Sequence, residues 1–291
     1  MEPTPELVVD AHAELAEGPV WDDRLDRLWW VDLLGGIVHL SDPTTGDDTA
    51  IPVGQPVGAL ALRSSGGPIL AVGDGFATLD VRTGRLEMVA RIARDDPGIR
   101  MNDGKVGPDG GFWAGSMAAD ERPGLGRLHR LDPDGTVTEH LAELTIPNGL
   151  DWTADGRQLL FIDTPTRRVD RFDVDASGRS ISGRRPAIEL REGAGWPDGM
   201  TLDAEGYAWV CLWDGWAVER YGPDGRLDRR VELPAAQVTS CAFGGPGLDE
   251  LYITTGQEGY PPGGRRDQPN AGGVFRLRPG VRGRPTRRFA G

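Results

Sequence analysis

The sequence is poor in the residues and segments that mark several protein classes. Its two cysteines, Cys211 and Cys241, stand in separate segments without a C-x-x-C spacing. Neither a disulfide framework nor a zinc knuckle is predicted, and both are expected to be small core residues. No stretch approaches the roughly 18 apolar residues of a membrane-spanning helix, and residues 1–10 lack the basic start and apolar run of a signal peptide. We therefore expect a soluble, cytoplasmic protein.

Positive charge is scarce and comes almost entirely from arginine. Asp and Glu number 45 against 32 Lys and Arg, which gives a formal net charge of −13. Nucleic acid and membrane are therefore not expected as partners, because both are bound through a basic surface. An arginine-rich segment at 276–288 is the exception, and a solvated edge is its expected role. Lys105, the single lysine, is predicted either to pair with Asp103 on an inner strand or to form a plain structural ion pair.

Long segments with helical periodicity are also missing, whereas turn-forming residues are abundant. The chain has 43 glycines and 23 prolines distributed along its whole length. Short apolar runs alternate with turn sequences such as Pro-Asp-Gly and Ala-Glu-Gly. This pattern is typical of many short strands joined by tight turns.

One turn-and-strand unit recurs six times. Each copy opens with a four-residue marker, and the markers begin at Asp26, Gly67, Gly110, Arg157, Gly206 and Asp249. Successive markers are 41, 43, 47, 49 and 43 residues apart. Six such units are typical of the four-stranded blades of a propeller. A β-sandwich is the alternative, but its strands would not give six evenly spaced copies of one unit.

The predicted fold is therefore all-β: a six-bladed β-propeller with four-stranded blades, forming a single domain over residues 1–291. A strand at residues 6–10 is expected to join the last blade, which forms around residues 273–277. This pairing would close the ring and remove an open sheet edge.

The phase of the repeat also selects candidate site residues. Counting back 11 or 12 residues from the last residue of each marker reaches the start of the preceding strand. If that strand is the innermost of its blade, the side chains there point at the axis of the ring. The residues at this position are Glu17, Gly58, Asn102, Asn148, Asp198 and Ser240.

Four of these six residues, Glu17, Asn102, Asn148 and Asp198, carry carboxylate or amide oxygens suited to a metal. Such a ring in a narrow channel would be costly without a cation. The all-oxygen set favours one divalent metal ion, with Ca²⁺ as the first choice and Mg²⁺, Mn²⁺ or Zn²⁺ as further possibilities. The alternative is that these residues only start strands, because Asn-Gly and Asp-Gly are common turn dipeptides.

At these residues the sequence resembles the SMP-30/gluconolactonase/regucalcin family of six-bladed propellers. The shared motifs follow one another over essentially the whole chain. They are Glu17-Gly18-Pro19-Val20-Trp21, Arg100-Met101-Asn102-Asp103-Gly104-Lys105, Trp113-Ala114-Gly115-Ser116-Met117, Pro147-Asn148-Gly149-Leu150-Asp151-Trp152, Pro197-Asp198-Gly199-Met200, Thr239-Ser240-Cys241-Ala242-Phe243-Gly244-Gly245 and Ala271-Gly272-Gly273-Val274-Phe275.

The resemblance implies roles for individual residues. Glu17, Asn148 and Asp198 would be the metal ligands, and Arg100 and Asn102 would contact the substrate, with Asn102 close to the metal. The family often places a substrate-binding glutamate shortly after the Ala-Gly-Ser-Met stretch. Without a gap Asp120 takes that place here, with Glu121 next to it. The shorter acid would change the reach of this contact.

The implied function is metal-dependent hydrolysis of a sugar-acid lactone, an aldonolactone such as gluconolactone, arabinonolactone or xylonolactone. A Lewis-acid metal would polarise the carbonyl, and Asp198 is the candidate to orient or deprotonate the attacking water. Direct attack by water is expected, because the chain has no Gly-x-Ser-x-Gly elbow and no histidine at an inner-strand position. Trp196 is expected either to form an apolar wall for the sugar ring or to pack between blades.

Three other functions are left open by the sequence. They are hydrolysis of another ester or an organophosphate, a non-enzymatic calcium-binding or regulatory role, and a protein-binding scaffold. Arg100 and Asn102 favour an enzyme, because a structural ion needs no donors aimed into the channel. The acidic ring argues against a scaffold with an inert channel. Oligomeric state is not predicted.

Overall fold

The computed structural model describes residues 4–92, 98–261 and 264–291. These residues form six four-stranded antiparallel sheets, and the first strands of successive sheets contact one another around a central axis. The predicted six-bladed propeller is confirmed. No helix in the described residues is both long and apolar enough to cross a membrane.

The strands of the first three blades run in chain order from the axis outward. They are β2 (Ala16–Asp22), β3 (Arg27–Asp32), β4 (Ile37–Ser41) and β5 (Asp48–Pro52); β6 (Val57–Leu62), β7 (Pro68–Val72), β8 (Gly75–Asp80) and β9 (Arg85–Arg91); and β10 (Ile99–Val106), β11 (Phe112–Ala118), β12 (Gly126–Leu131) and β13 (Val137–Leu144).

Blades 4 and 5 follow the same order, and a short 3₁₀ helix covers Thr164–Thr166 in blade 4. Their strands are β14 (Pro147–Trp152), β15 (Gln158–Asp163), β16 (Arg168–Val174) and β17 (Ile181–Glu189), then β18 (Trp196–Leu202), β19 (Ala208–Trp213), β20 (Ala217–Tyr221) and β21 (Leu227–Glu232).

Blade 6 is built from both ends of the described chain. It contains β22 (Gln237–Gly244), β23 (Glu250–Gly256) and β24 (Val274–Leu277), and its outer strand is β1 (Glu6–Val9), which pairs antiparallel with β24. The predicted closure of the ring is therefore confirmed. Because β1 pairs with the edge of β24, the last blade has four strands, as the other blades do.

The core is divided among the interfaces between blades. The described residues contain six apolar clusters, each shared by two neighbouring blades. Trp113 and Trp152, for example, lie between blades 3 and 4 with ring centroids 5.9 Å apart. Cys211 and Cys241 are buried and unpaired in the cluster between blades 5 and 6. Each blade is therefore stabilised mainly by its neighbours.

The arginine-rich segment at 276–288 was predicted to be a solvated edge, and this prediction was wrong for Arg284, Arg287 and Arg288. Residues 278–291, which we call the crossing segment, run across the lower face of the ring, the face that carries the turns between first and second strands. Its backbone or side chains form hydrogen bonds with every blade, to Ala204, Leu248, Trp152, Trp21, Leu62 and Gly110. Arg284 and Arg288 pair with the buried acids Asp151 and Asp22, whereas Arg278 and Arg282 remain exposed.

Candidate functional site

A β-bulge occurs at the same place in the first strand of all six blades. The register with the second strand shifts at or next to each position that the repeat selected. A bulge re-aims the side chains beside it and is common next to functional sites. This is how a regular sheet turns Glu17, Asn148 and Asp198 towards the axis.

Glycines at the bulges let the first strands of neighbouring blades approach closely. A Cβ atom on Gly149 would lie 2.7 Å from the carbonyl oxygen of Asp198 and 2.8 Å from the backbone nitrogen of Met200. The strand that carries Asp198 is thus packed directly against the strand that carries Asn148. Glycine is required here by the close approach of the next blade.

Substitution of Gly149 by alanine is expected to push the Asp198 strand away from the axis. We expect a loss of about 1–3 kcal/mol in unfolding free energy, which is typical of overpacking, and a fall in metal affinity of at least about tenfold. Calorimetric metal titration and thermal unfolding would measure both. Gly193→Ala is the control: it strains a left-handed φ of +74° but meets nothing within 4 Å. A loss of metal affinity of similar size in both variants would contradict this account.

The axial channel is wide at its upper end. A cavity of about 260 Å³, which we call the upper cavity, opens on the face that carries the loops leading into the first strands. It is lined by Glu17, Arg100, Asn102, Asn148 and Asp198. Five of the six residues predicted as metal or substrate contacts therefore lie in one cavity.

The three expected metal ligands are buried side chains with defined orientations. Glu17, Asn148 and Asp198 are 5–6% exposed. The Asn148 amide donates to Thr164 Oγ1 at 2.8 Å, while its oxygen accepts from Asn102 Nδ2 at 2.9 Å. In the described part of the chain, no donor forms a hydrogen bond with the Asp198 carboxylate. This carboxylate is therefore left with its full capacity to bind a cation or a water.

The electrostatics of the cavity disfavour two free carboxylates. Burial, followed by repulsion from Asp103, raises the pKa of Glu17 from 4.5 to about 8. Burial and the charges of Glu17 and Asp103 raise the pKa of Asp198 well above its usual value. Arg100 opposes both shifts without cancelling them. A cation bound between the carboxylates would relieve this cost.

Arg100 and Asn102 form one connected pair. Arg100 NH1 donates to Asn102 Oδ1 at 2.6 Å and to the Met101 carbonyl at 3.1 Å. Asn102 Nδ2 donates in turn to the Pro147 carbonyl and to Asn148 Oδ1. Asn102 thus links Arg100 to the Asn148 amide, and the remaining guanidinium donors of Arg100 can serve a ligand.

The structure does not place Asp120 in the upper cavity. Its carboxylate is 62% exposed and pairs with Arg122 at 2.8 Å. Glu121, the next residue, lines the cavity instead, and it adopts a left-handed φ of +59°. Glu121, and not Asp120, therefore borders the cavity in the turn that follows β11. A gap-free comparison of motifs cannot detect such a turn.

Other lining residues were missed by the repeat analysis. Thr164 Oγ1 accepts from Asn148 and donates to the Pro197 carbonyl at 2.8 Å, so it joins two of the expected ligand strands. Glu258 and Trp213 also line the cavity, as does Trp196. Thr164 begins the short 3₁₀ helix of blade 4 and Glu258 lies in the loop after β23, and neither place belongs to the repeated turn-and-strand unit.

The lower end of the channel holds a separate ion cluster. Lys105 Nζ donates to Asp151 Oδ2 at 3.2 Å and to the Met200 carbonyl at 3.1 Å, so its ion pair is with Asp151 rather than Asp103. Arg284 of the crossing segment donates to Asp151 Oδ1 at 3.1 Å. Although burial favours the neutral acid, Lys105 and Arg284 lower the pKa of Asp151 to about 2. Lys105, Asp151 and Arg284 line a lower cavity of about 120 Å³.

Comparison with known proteins extends these observations. The SMP-30/gluconolactonase/LRE-like region matches residues 15–257. The chain is 38% identical to regucalcin of Xenopus laevis over 98% of both chains. It is 36% identical to the "Putative sugar lactone lactonase YvrE" of Bacillus subtilis over 92% of both.

The same architecture occurs in solved structures. The calcium-binding protein regucalcin from Agrobacterium tumefaciens superposes with a TM-score of 0.93 at 31% identity, over 99% of this chain and 98% of that one. Fold, repeat, motif order and sequence similarity agree along nearly the full length. The chain belongs to the SMP-30/gluconolactonase/LRE-like family.

Proposed function

We propose that this protein is a metal-dependent lactonase that hydrolyses a sugar-acid lactone in the upper cavity. The observation that carries the proposal is the convergence of two buried carboxylates and an amide oxygen beside the donors of Arg100. The lactonase name of the Bacillus relative supports it.

The residues of the cavity fit a divalent cation. Glu17, Asn148 and Asp198 would hold it through oxygen atoms, which suits Ca²⁺ first and also Mg²⁺, Mn²⁺ or Zn²⁺. Burial, with repulsion among Glu17, Asp103 and Asp198, raises the pKa of both Glu17 and Asp198, and this supports a site built to bind a cation. A bound divalent cation would polarise the lactone carbonyl and stabilise negative charge on its oxygen.

The side chains account for the remaining chemistry. We infer that Asp198 accepts a proton from the attacking water and returns it to the ring oxygen as the C–O bond breaks, which yields the open hydroxy acid. Arg100 donates to substrate hydroxyls, and Asn102 holds Arg100 in place. Trp196, at the mouth, provides a flat apolar face for the sugar ring.

The proposal is tested by removing and restoring the metal. After chelation, hydrolysis of aldonolactones of five and six carbons should fall to the spontaneous rate, and one of Ca²⁺, Mg²⁺, Mn²⁺ or Zn²⁺ should restore it. Acid release at constant pH, corrected for spontaneous hydrolysis, is the measurement. Tight metal binding without turnover of any lactone would contradict the proposal.

That second outcome would favour a different role. The Agrobacterium protein is described as calcium-binding, and a calcium-binding role without catalysis would also use Glu17, Asn148 and Asp198. Turnover of simple esters or organophosphates, in place of lactones, would indicate the third possibility, since a polarised oxygen site would accept those substrates as well.

Metal affinity is expected to rise with pH up to about 8. The pKa of Glu17 is raised to about 8 in the metal-free protein, mainly by burial, so at lower pH a proton must leave before metal binds. The metal-free fold should correspondingly lose stability as pH rises from 4.5 to 8, because the folded state holds this proton more tightly than the unfolded chain. Thermal unfolding between pH 5.5 and 8.5, with metal and with chelator, measures both trends.

Glu17→Gln is the control for this pH dependence. The variant should bind metal weakly at every pH, and its metal-free stability should change less between pH 5.5 and 8.5. A wild-type metal affinity that is flat over this range would show that Glu17 is already ionised without metal.

A further inference from the structure

The walls of the upper cavity carry an unequal number of acidic and basic groups. Among the described residues that line it, Glu17, Glu121, Asp198 and Glu258 are acidic, and Arg100 is basic. A divalent cation held by Glu17 and Asp198 would offset those two carboxylates. The charged lining residues that remain are Glu121, Glu258 and Arg100. Their formal charges sum to one negative charge, which a bound substrate would face.

Glu258 is held at the rim of the cavity by its backbone. Glu258 lies in the loop that follows β23, and two hydrogen bonds hold its backbone. Its backbone nitrogen donates to Gln237 Oε1 at 2.8 Å, and Gln237 Nε2 donates to the Glu258 carbonyl at 3.0 Å. Gln237 itself is buried. The two hydrogen bonds fix the point from which the Glu258 carboxylate projects.

The charges of Glu258 and Arg100 influence each other. Burial is the largest cause that raises the pKa of Glu258; Arg100 opposes the shift, and Glu121 and Glu14 add to it. Arg100 in turn lies in the field of Glu258, Glu17 and Glu121. The acids at the rim and the single guanidinium are thus close enough to influence one another.

We propose that the upper cavity selects uncharged lactones and that Glu258 is a specificity-determining residue that disfavours substrates carrying a carboxylate or phosphate. The inference rests on the proposed lactonase function and narrows its substrate class. Like charges at close range repel even at the mouth of a cavity, although solvent and salt reduce the effect.

The same charge acts on the product. Hydrolysis converts a neutral ester into a carboxylate, so the reaction itself creates the anion that the cavity disfavours. Substrate and product therefore differ in charge, and the product is also an open chain instead of a ring. We expect the negative charge of Glu121 and Glu258 to weaken product binding, in opposition to the attraction of a bound cation for the new carboxylate.

One basic group near the mouth of the cavity, Arg167, would attract anionic substrates. The Arg167 guanidinium carbon lies 4.6 Å from the centroid of the Trp196 ring. It stacks on this ring, and Arg167 is absent from the described lining of the cavity. If Arg167 dominated the potential at the mouth, the wild-type protein would prefer anionic lactones.

The test compares a neutral aldonolactone with the monolactone of an aldaric acid, which carries a free carboxylate. With the metal that best supports turnover and at low ionic strength, Glu258→Gln should lower the neutral-to-anionic ratio of kcat/KM by about 3- to 10-fold. The difference should shrink with added salt. Glu192→Gln removes the same charge from an exposed loop on the same face and should leave the ratio unchanged.

A second readout does not depend on turnover. Calorimetry would compare the binding of a neutral polyol and of the matching aldonate to the metal-loaded protein. Glu258→Gln should improve aldonate binding relative to the polyol by about 3- to 10-fold, and Glu192→Gln should not.

The outcomes separate the two proposals. If no lactone is hydrolysed, the lactonase function fails, and calorimetry still decides whether the cavity rejects anions. If neutral lactones are hydrolysed but the ratios in wild type and Glu258→Gln agree, the role of Glu258 is overturned. A wild-type preference for the aldaric monolactone would overturn it as well.

Discussion

Asp198→Asn is expected to lower kcat/KM for the best lactone by about 10³-fold. The amide keeps the shape of the side chain but cannot accept the proton of the attacking water. It also removes one of the two charges that would bind the cation, so metal affinity should fall at least about tenfold. Steady-state kinetics at saturating metal and calorimetric metal titration separate these two losses.

The same substitution should stabilise the metal-free protein. Burial and the nearby carboxylates disfavour the Asp198 anion, so its removal is expected to raise the unfolding midpoint by a few degrees, roughly 2–4 °C per kcal/mol gained. Ser240→Ala alters the equivalent position of blade 6 and serves as the control. Activity of Asp198→Asn within tenfold of wild type would show that another group accepts the proton.

Loss of the Phe289 side chain should destabilise the fold severely. Phe289 is 2% exposed and packs in the cluster between blades 2 and 3. Phe289→Ala is expected to cost about 3–5 kcal/mol because it leaves a cavity in that cluster. Chemical denaturation measures this loss directly. Arg284→Ala should also be costly, since it removes a partner from buried Asp151.

The control for the crossing segment is an arginine that makes no such contacts. Arg226 is 88% exposed and lies 3.7 Å from Asp224 in a turn, so Arg226→Ala should change stability by less than about 0.5 kcal/mol. Equal effects of Arg226→Ala and Arg284→Ala would mean that the lower ion cluster contributes nothing to the fold.

The sequence was sufficient to predict the fold, because a repeated unit indicates the architecture without knowledge of which distant residues contact one another. The markers at Asp26, Gly67 and their four equivalents begin one or two residues before the second strand of each blade. Their even spacing and shared phase identified the innermost strands. The pairing of β1 with β24 followed from the need to close the ring.

The candidate site was predictable to the extent that it obeys the same repeat. Glu17, Asn102, Asn148 and Asp198 occupy one phase and line one cavity. The sequence left the choice between Asp120 and Glu121 open, and it did not predict Glu258, because a left-handed turn and a loop decide the positions of the two glutamates. The metal role of Glu17, Asn148 and Asp198 and the substrate role of Arg100 and Asn102 stay predictions.

The crossing segment escaped prediction for a different reason. Its charge pattern is typical of a solvated surface. The acidic side chains that pair with its arginines are distant in sequence and come close only in the folded structure. Asp151, Asp22 and Asp23 come from blades 4 and 1 and pair with Arg284 and Arg288. Contacts between residues more than 130 positions apart leave no local mark in a single sequence.

Blade 6 needs strands from opposite ends of the described chain, and this affects how the protein folds during its synthesis. At about 5–20 residues per second, β1 is made on the order of 10–60 s before β24. Until then β1 has no partner, and the inner strands of blades 1 and 6 cannot meet. Ring closure is therefore a late event with high contact order, and the nascent chain exposes an unpaired strand that chaperones are suited to protect.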